Sequence, residues 1–108
     1  GGRVGWQVGR PGFIQRTDDA GATWAEQPLP TQAQVTAVAP VSSRVCWAVG
    51  ASGLVLQTTD GVVWRRLSSP TGAGLVSVTA DSASRATVRA ADGSTYETTD
   101  AGASWQKR

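Results

Sequence analysis

Three aspartates stand in nearly the same local frame. Asp19 lies in Thr17-Asp18-Asp19-Ala20-Gly21-Ala22-Thr23-Trp24, and Asp100 in Thr98-Thr99-Asp100-Ala101-Gly102-Ala103-Ser104-Trp105. Asp60 lies in a worn copy, Thr58-Thr59-Asp60-Gly61-Val62-Val63-Trp64. A carboxylate beside hydroxyls could act as an acid, a base or a metal ligand, so these are the first candidates for chemistry. A second is the pair Tyr96-Glu97, a potential nucleophile, and a third is the thiol of Cys46.

The spacing argues against each. A glycosidase needs two carboxylates held at a set separation. Of the eight acids, Asp19, Asp60 and Asp100 are expected in turns and Asp92 in a hairpin, which leaves Asp18, Glu26, Asp81 and Glu97 with no pattern of convergence. Tyr96 and Glu97 are neighbours on an expected strand and therefore point to opposite faces. The chain has no histidine and one cysteine, which removes a Ser-His-Asp or Cys-His triad, an internal disulfide and the usual zinc ligand sets. Cys46 lies in an apolar run, where a free thiol behaves as a small buried hydrophobe. No catalytic residue, metal site or cofactor is expected.

The frame serves better as a turn. An aspartate side chain accepts hydrogen bonds from backbone N–H groups one to three residues on. A following glycine takes a conformation that a Cβ opposes, and the threonine hydroxyl adds a local bond. The tryptophan is expected to start the next strand and to be buried, worth roughly 3 kcal/mol or more. Thr17, Asp19, Gly21 and Trp24, then Thr58, Asp60 and Trp64, then Thr98, Asp100, Gly102 and Trp105 are thus structural residues. The second frame is one residue shorter between Asp and Trp, which predicts a tighter turn with Trp64 still buried.

The elements that carry these turns repeat after about 40 residues, a signature of repeat architecture. Gly5-Trp6-Gln7-Val8-Gly9 returns as Cys46-Trp47-Ala48-Val49-Gly50, and Thr87 takes the tryptophan position in the third unit. Each full unit reads as four short strands, a to d, with the Asp frame joining c to d. Strand a is absent from the first unit, so eleven antiparallel strands and essentially no helix are expected. The units are 1–31, 32–70 and 71–108, within one domain. Asp92-Gly93 is the strongest hairpin signal and favours a type I′ turn. All five tryptophans recur at repeat-equivalent places, which assigns them to the core.

The motif S/T-x-D-x-G-x-x-W is the Asp-box, or bacterial neuraminidase repeat. Together with G-W-x-V-G on strand b, it makes the chain resemble the photosystem II stability/assembly-factor family of β-propellers. The resemblance implies all-β blades with the boxes on the outer rim, and a non-catalytic protein-binding, assembly or sensing module. It also favours an extracytoplasmic location, in a larger bacterial protein such as a membrane-anchored regulator. The alternative is a carbohydrate-binding propeller fragment of a glycosidase-like protein, with tryptophans stacking on sugars. The chain starts Gly-Gly without Met, which reads as an excised segment.

Three blades do not close a propeller, for which four to eight are usual. A homo-oligomer that completes the ring is therefore one expectation. Candidate partner contacts are the arginines that vary between repeats: Arg10, Arg44, Arg65, Arg66, Arg85 and Arg89. The net charge of +2 is spread over scattered arginines and is short of a nucleic-acid footprint. No apolar run reaches the ~18 to 20 residues of a membrane span, so direct membrane insertion is not expected.

Overall fold

The computed structural model describes residues 4–9, 11–31 and 33–108. Among these residues the chain forms eleven strands in three separate antiparallel sheets, plus one 3-10 turn at Ala51–Gly53. The first sheet holds β1 (Gly5–Val8), β2 (Phe13–Thr17) and β3 (Ala25–Pro28). The second holds β4 (Val35–Pro40), β5 (Cys46–Gly50), β6 (Val55–Thr58) and β7 (Trp64–Arg66). The third holds β8 (Leu75–Ala80), β9 (Ala86–Ala90), β10 (Thr95–Thr98) and β11 (Gln106–Lys107). Strands follow sequence order in every sheet, so each sheet is a meander, one blade.

Alternation along the strands gives each blade two faces. Trp6, Ile14, Cys46, Ala48, Leu56 and Trp64 meet in one core, between blades one and two. Trp47, Val49, Val55, Ala86, Val88 and Ala90 meet in a second, between blades two and three. Blade two therefore sends alternate residues in opposite directions, and its middle strands β5 and β6 are buried along their whole length. Cross-strand partners share a face. Trp6 lies opposite Arg16, Trp47 opposite Gln57, and Thr87 opposite Glu97.

These cross-strand pairs build the joints between blades. Arg16 Nη2 donates to the Ser43 carbonyl at 3.2 Å, and Gln57 Nε2 donates to the Ala83 carbonyl at 2.6 Å. Each bond ties strand c of one blade to the a–b turn of the next. Trp64 meets Trp6 edge to face at 5.5 Å, and Trp105 meets Trp47 in the same way at 6.4 Å. The box tryptophans Trp64 and Trp105 thus pack backwards onto the strand-b tryptophan of the preceding blade.

That rule explains a departure from expectation. Trp6, Trp47 and Trp64 are buried, Trp105 is half-buried and Trp24 is 39% exposed. Blade one is the first described blade, so Trp24 has no tryptophan ring behind it and lies over its own Gly5 and Gly21 instead. Trp24 and Trp105 also precede their strands, which begin at Ala25 and Gln106; of the three box tryptophans, Trp64 alone lies inside its strand.

The Asp92-Gly93 hairpin differs too. Gly93 has φ +89° but Asp92 is not left-handed. The Gly93 N–H bonds to Ala90 O, Ala90 N–H bonds to Ser94 O, and Asp92 Oδ1 accepts from Ser94 N–H. This is a three-residue loop with one left-handed glycine, in place of the two-residue type I′ turn. Of the described b–c loops, the one between β5 and β6 has two consecutive left-handed residues, Ser52 and Gly53.

Candidate functional site

The box threonine and aspartate close each turn from within. In box one, Thr17 Oγ1 donates to Asp19 Oδ1 at 2.6 Å and accepts from Gly21 N–H at 3.0 Å. Asp19 Oδ1 also accepts from Thr23 N–H at 2.9 Å, and its Oδ2 accepts from the Thr23 hydroxyl. Box three repeats every bond: Thr98 to Asp100 at 2.8 Å, Gly102 N–H to Thr98 at 2.9 Å, Ser104 N–H to Asp100 at 2.9 Å, and the Ser104 hydroxyl to Asp100 Oδ2. The aspartate therefore reaches four residues on, one beyond the range expected from sequence. Two consecutive left-handed residues, Ala20-Gly21 and Ala101-Gly102, fold the turn tightly enough to permit it.

Box two is tighter, as its spacing predicts. Asp60 Oδ1 accepts from Val62 and Val63 N–H, both at 2.9 Å, and Gly61 alone is left-handed. Trp64 is 4% exposed, and its Nε1 donates to Gln27 Oε1 at 2.8 Å. The shortened turn leaves Val62 and Val63 more than 60% exposed.

Electrostatics follow from these bonds. Donors on three sides hold Asp19 and Asp100 at a pKa of about 2, with the Thr17 hydroxyl the main cause for Asp19 and the Ser104 hydroxyl for Asp100. Backbone N–H groups, Val63 first, lower Asp60. A carboxylate so stabilised is a poor proton acceptor near neutral pH. Burial pushes the Cys46 thiol up to about 12, which makes it an inert core group. Among the described residues, no three His, Cys, Asp or Glu side chains come together as a metal site.

Tyr96 and Glu97 point apart: Tyr96 joins the second core, and Glu97 lies on the opposite face within 3.5 Å of both Arg85 and Arg108. Of the candidate arginines, Arg44, Arg65, Arg66, Arg85 and Arg89 are exposed, and Arg10 lies outside the described residues. Arg65 and Arg66 are opposite Gln57 and Leu56, so they leave opposite faces of blade two. Arg85 and Arg89 share the outer face of blade three with Glu97.

Sequence reasoning missed Arg16. It is the arginine built into the fold, bonded to Ser43 and lying 5.3 Å from the Trp6 ring. Its repeat equivalence to Gln57 was the available signal. Beside it, Asp18, Thr23, Trp24 and Gln27 line a shallow cleft of about 140 Å³ at the rim.

With strand order, boxes and blade joints in place, the chain can be set beside known proteins. Residues 2–108 match the family described as Photosynthesis system II assembly factor YCF48.

The chain belongs to this family.

It superposes on YCF48 bound to D1 peptide with a TM-score of 0.88 at 26% identity, covering 99% of this chain and 36% of that one. YCF48 from Cyanidioschyzon merolae gives a TM-score of 0.83 at 26% identity, over 97% of this chain and 35% of that one. The Dispase autolysis-inducing protein of Streptomyces mobaraensis is 38% identical over 95 residues, which is 86% of this chain and 25% of that protein. The chain thus spans between a quarter and just over a third of the length of these relatives. It is a portion of an assembly-factor β-propeller, with all-β blades and Asp-box turns.

Proposed function

We propose that this chain is a non-catalytic protein-binding module of the assembly-factor type, which engages its partner through exposed arginines. The observation that carries the reading is the contrast between its charges. The box aspartates are hydrogen-bonded within their own turns, whereas Arg44, Arg65, Arg66 and Arg89 present guanidinium groups to solvent. Arginine is enriched at protein interfaces because its planar fork pairs with carboxylates and stacks on rings. Family membership and the YCF48 solved with a D1 peptide support the same direction. Calorimetric titration with that D1 peptide tests it. Binding that weakens with salt and on Arg65→Ala, Arg66→Ala and Arg89→Ala is expected. Absence of binding together with hydrolysis of sialoside or cellulosic substrates would overturn it.

The setting belongs to the same proposal: an extracytoplasmic segment of a larger bacterial protein, a reading that rests on the family resemblance. Fractionation of the source cells checks it. Closure of the arc by a second copy is disfavoured by the polar outer faces of blades one and three, so light scattering should return the mass of one chain.

A sugar-binding reading is favoured by one observation, the exposed ring of Trp24. A glycan that shifts tryptophan fluorescence in the wild type but not in Trp24→Phe would raise it above the first.

A further inference from the structure

The two joints between blades use the same repeat positions but differ in how their polar groups are met. Between blades two and three, Trp47 Nε1 donates to Ser82 O at 3.0 Å and Gln57 Nε2 donates to Ala83 O at 2.6 Å. Between blades one and two, the cross-strand pair Trp6 and Arg16 takes those places. Arg16 Nη2 reaches Ser43 O, but Arg16 Nε and Trp6 Nε1 are both buried without a hydrogen-bond partner. We propose that this joint is a binding site for a carboxylate group, received by the guanidinium of Arg16.

Guanidinium and indole N–H groups donate and do not accept, so what meets them must be an acceptor. Arg16 also carries a charge that no acid of this joint offsets. Among the described residues no carboxylate lies within ion-pair distance of it, whereas Glu97 serves both Arg85 and Arg108. Buried donors are normally satisfied, and buried charges are normally paired. The space beside the orphaned nitrogen is bounded by Gly61 of box two, where a Cβ would come within 3.6 Å of Arg16 Nε and 3.2 Å of Ser43 O. Arg16 also stands in the wall of the rim cleft of about 140 Å³, together with Asp18, Ala25 and Gln27. That volume holds several waters, or one carboxylate in their place. Blades one and two supply both walls of the joint.

The cleft owes its room to a swap between repeats. Arg16 lies opposite Ala25, and at the same places blade two has Gln57 opposite Arg65. In blade two the cation stands on the outer strand, in solvent. In blade one it stands on strand c, inside the joint, with a methyl group across from it. A guanidinium pairs with a carboxylate through parallel N–H···O bonds, and such charge-assisted bonds are about twice as strong as neutral ones. This favours a carboxylate over water. Asp18, exposed in the wall of the same cleft, repels a doubly charged phosphate more than a singly charged carboxylate. The ligand is therefore a carboxylate, carried by a small free acid or by an acidic side chain of a protein partner. The site uses none of the exposed arginines assigned to partner binding above.

The test is heteronuclear NMR of the nitrogen-labelled 108-residue chain, following the arginine Nε–H signals at neutral pH and fixed ionic strength. The titrants are sodium acetate, the blocked peptide acetyl-Gly-Glu-Gly-amide and its Gln counterpart. A saturable shift of the Arg16 Nε–H signal is expected with acetate, and none with the Gln peptide. A matching response to the Glu peptide identifies a partner's side chain as the source; a response to acetate alone identifies a free acid. Ala25→Leu, at an exposed position of β3, fills the cleft while keeping Arg16 and should weaken binding at least about tenfold. Asp18→Asn, which removes the like charge, should strengthen it about two- to threefold. Arg65→Ala, Arg66→Ala and Arg89→Ala should leave it unchanged, which separates this site from the arginine surface. No saturable shift up to about 100 mM acetate would overturn the proposal and leave an ordered water as the acceptor. Equal binding of the Gln peptide would overturn it too, as would shifts of equal size at Arg44 and Arg89, which would reduce the effect to general ion association.

Discussion

The inner faces of this arc and its outer flanks are built on the same repeat positions with opposite chemistry. Facing the next blade, blade one carries Trp6, Val8, Ile14 and Arg16, and blade two carries Trp47, Val49, Val55 and Gln57. Blade three carries Thr87, Arg89, Thr95 and Glu97 at those places. Facing the preceding blade, blade two presents Ala48 and Leu56 and blade three Val88 and Tyr96, but blade one presents Gln7 and Gln15, which bond to each other. The strand geometry is common to all three. What differs is whether a face packs against another blade of this chain: the faces that do are apolar, and the two flanks that do not are polar. The difference teaches that the repeat specifies shape, while departures from it specify what each face touches.

The sharpest way to break this contrast is at its centre. Trp47 is fully buried, bonds to Ser82 O through Nε1 and meets Trp105. Trp47→Ala should destabilise the fold by about 3–5 kcal/mol, from cavity formation and a lost partner, as read by urea unfolding followed by circular dichroism. The box tryptophans give the next largest effect. Trp64→Ala should cost about 3 kcal/mol or more, and Trp24→Ala clearly less, because Trp24 lacks a ring behind it. Equal losses for the two would end the idea that box tryptophans act between blades.

Acid titration gives a smaller effect. Asp19 and Asp100 have folded pKa values of about 2, below the ordinary 3.8. The unfolded chain therefore binds protons more readily than the folded one, and acid favours unfolding. The contribution is complete above about pH 4 and is lost as the pH falls through about 2. Asp19→Asn with Asp100→Asn should flatten the urea midpoint between those values; a profile identical to wild type would show that the turns do not depend on their carboxylates. The smallest change is expected on the flanks. Thr87→Ala and Gln15→Ala should shift stability by no more than about 0.5 kcal/mol, and a loss comparable to Trp47→Ala would show that these faces are not solvent-facing.

Much of the fold was legible because strand period, turn residues and a repeat of about 40 residues reinforce one another. The eleven expected strands form in the expected order, and the short second box folds as its spacing requires, with Trp64 buried. The conformation at Asp92-Gly93 was not legible, since dipeptide preference competes with loop length and the extra residue Ala91 settles it. The candidate site was legible only as a set of residue types. Apart from the repeat equivalence of Arg16 to Gln57, nothing local distinguishes Arg16, tied to the next blade, from Arg89, left in solvent.

Local sequence, then, determined the turns, the strands and their order, because each box satisfies its own hydrogen bonds within eight residues. Tertiary structure decided the fate of the residues that look alike. Trp24, Trp64 and Trp105 share a motif, yet one is exposed, one buried and one half-buried. The reason is physical: burial of a box tryptophan depends on the strand-b residue of the preceding blade, about 60 residues earlier in the chain, and no local pattern contains that partner.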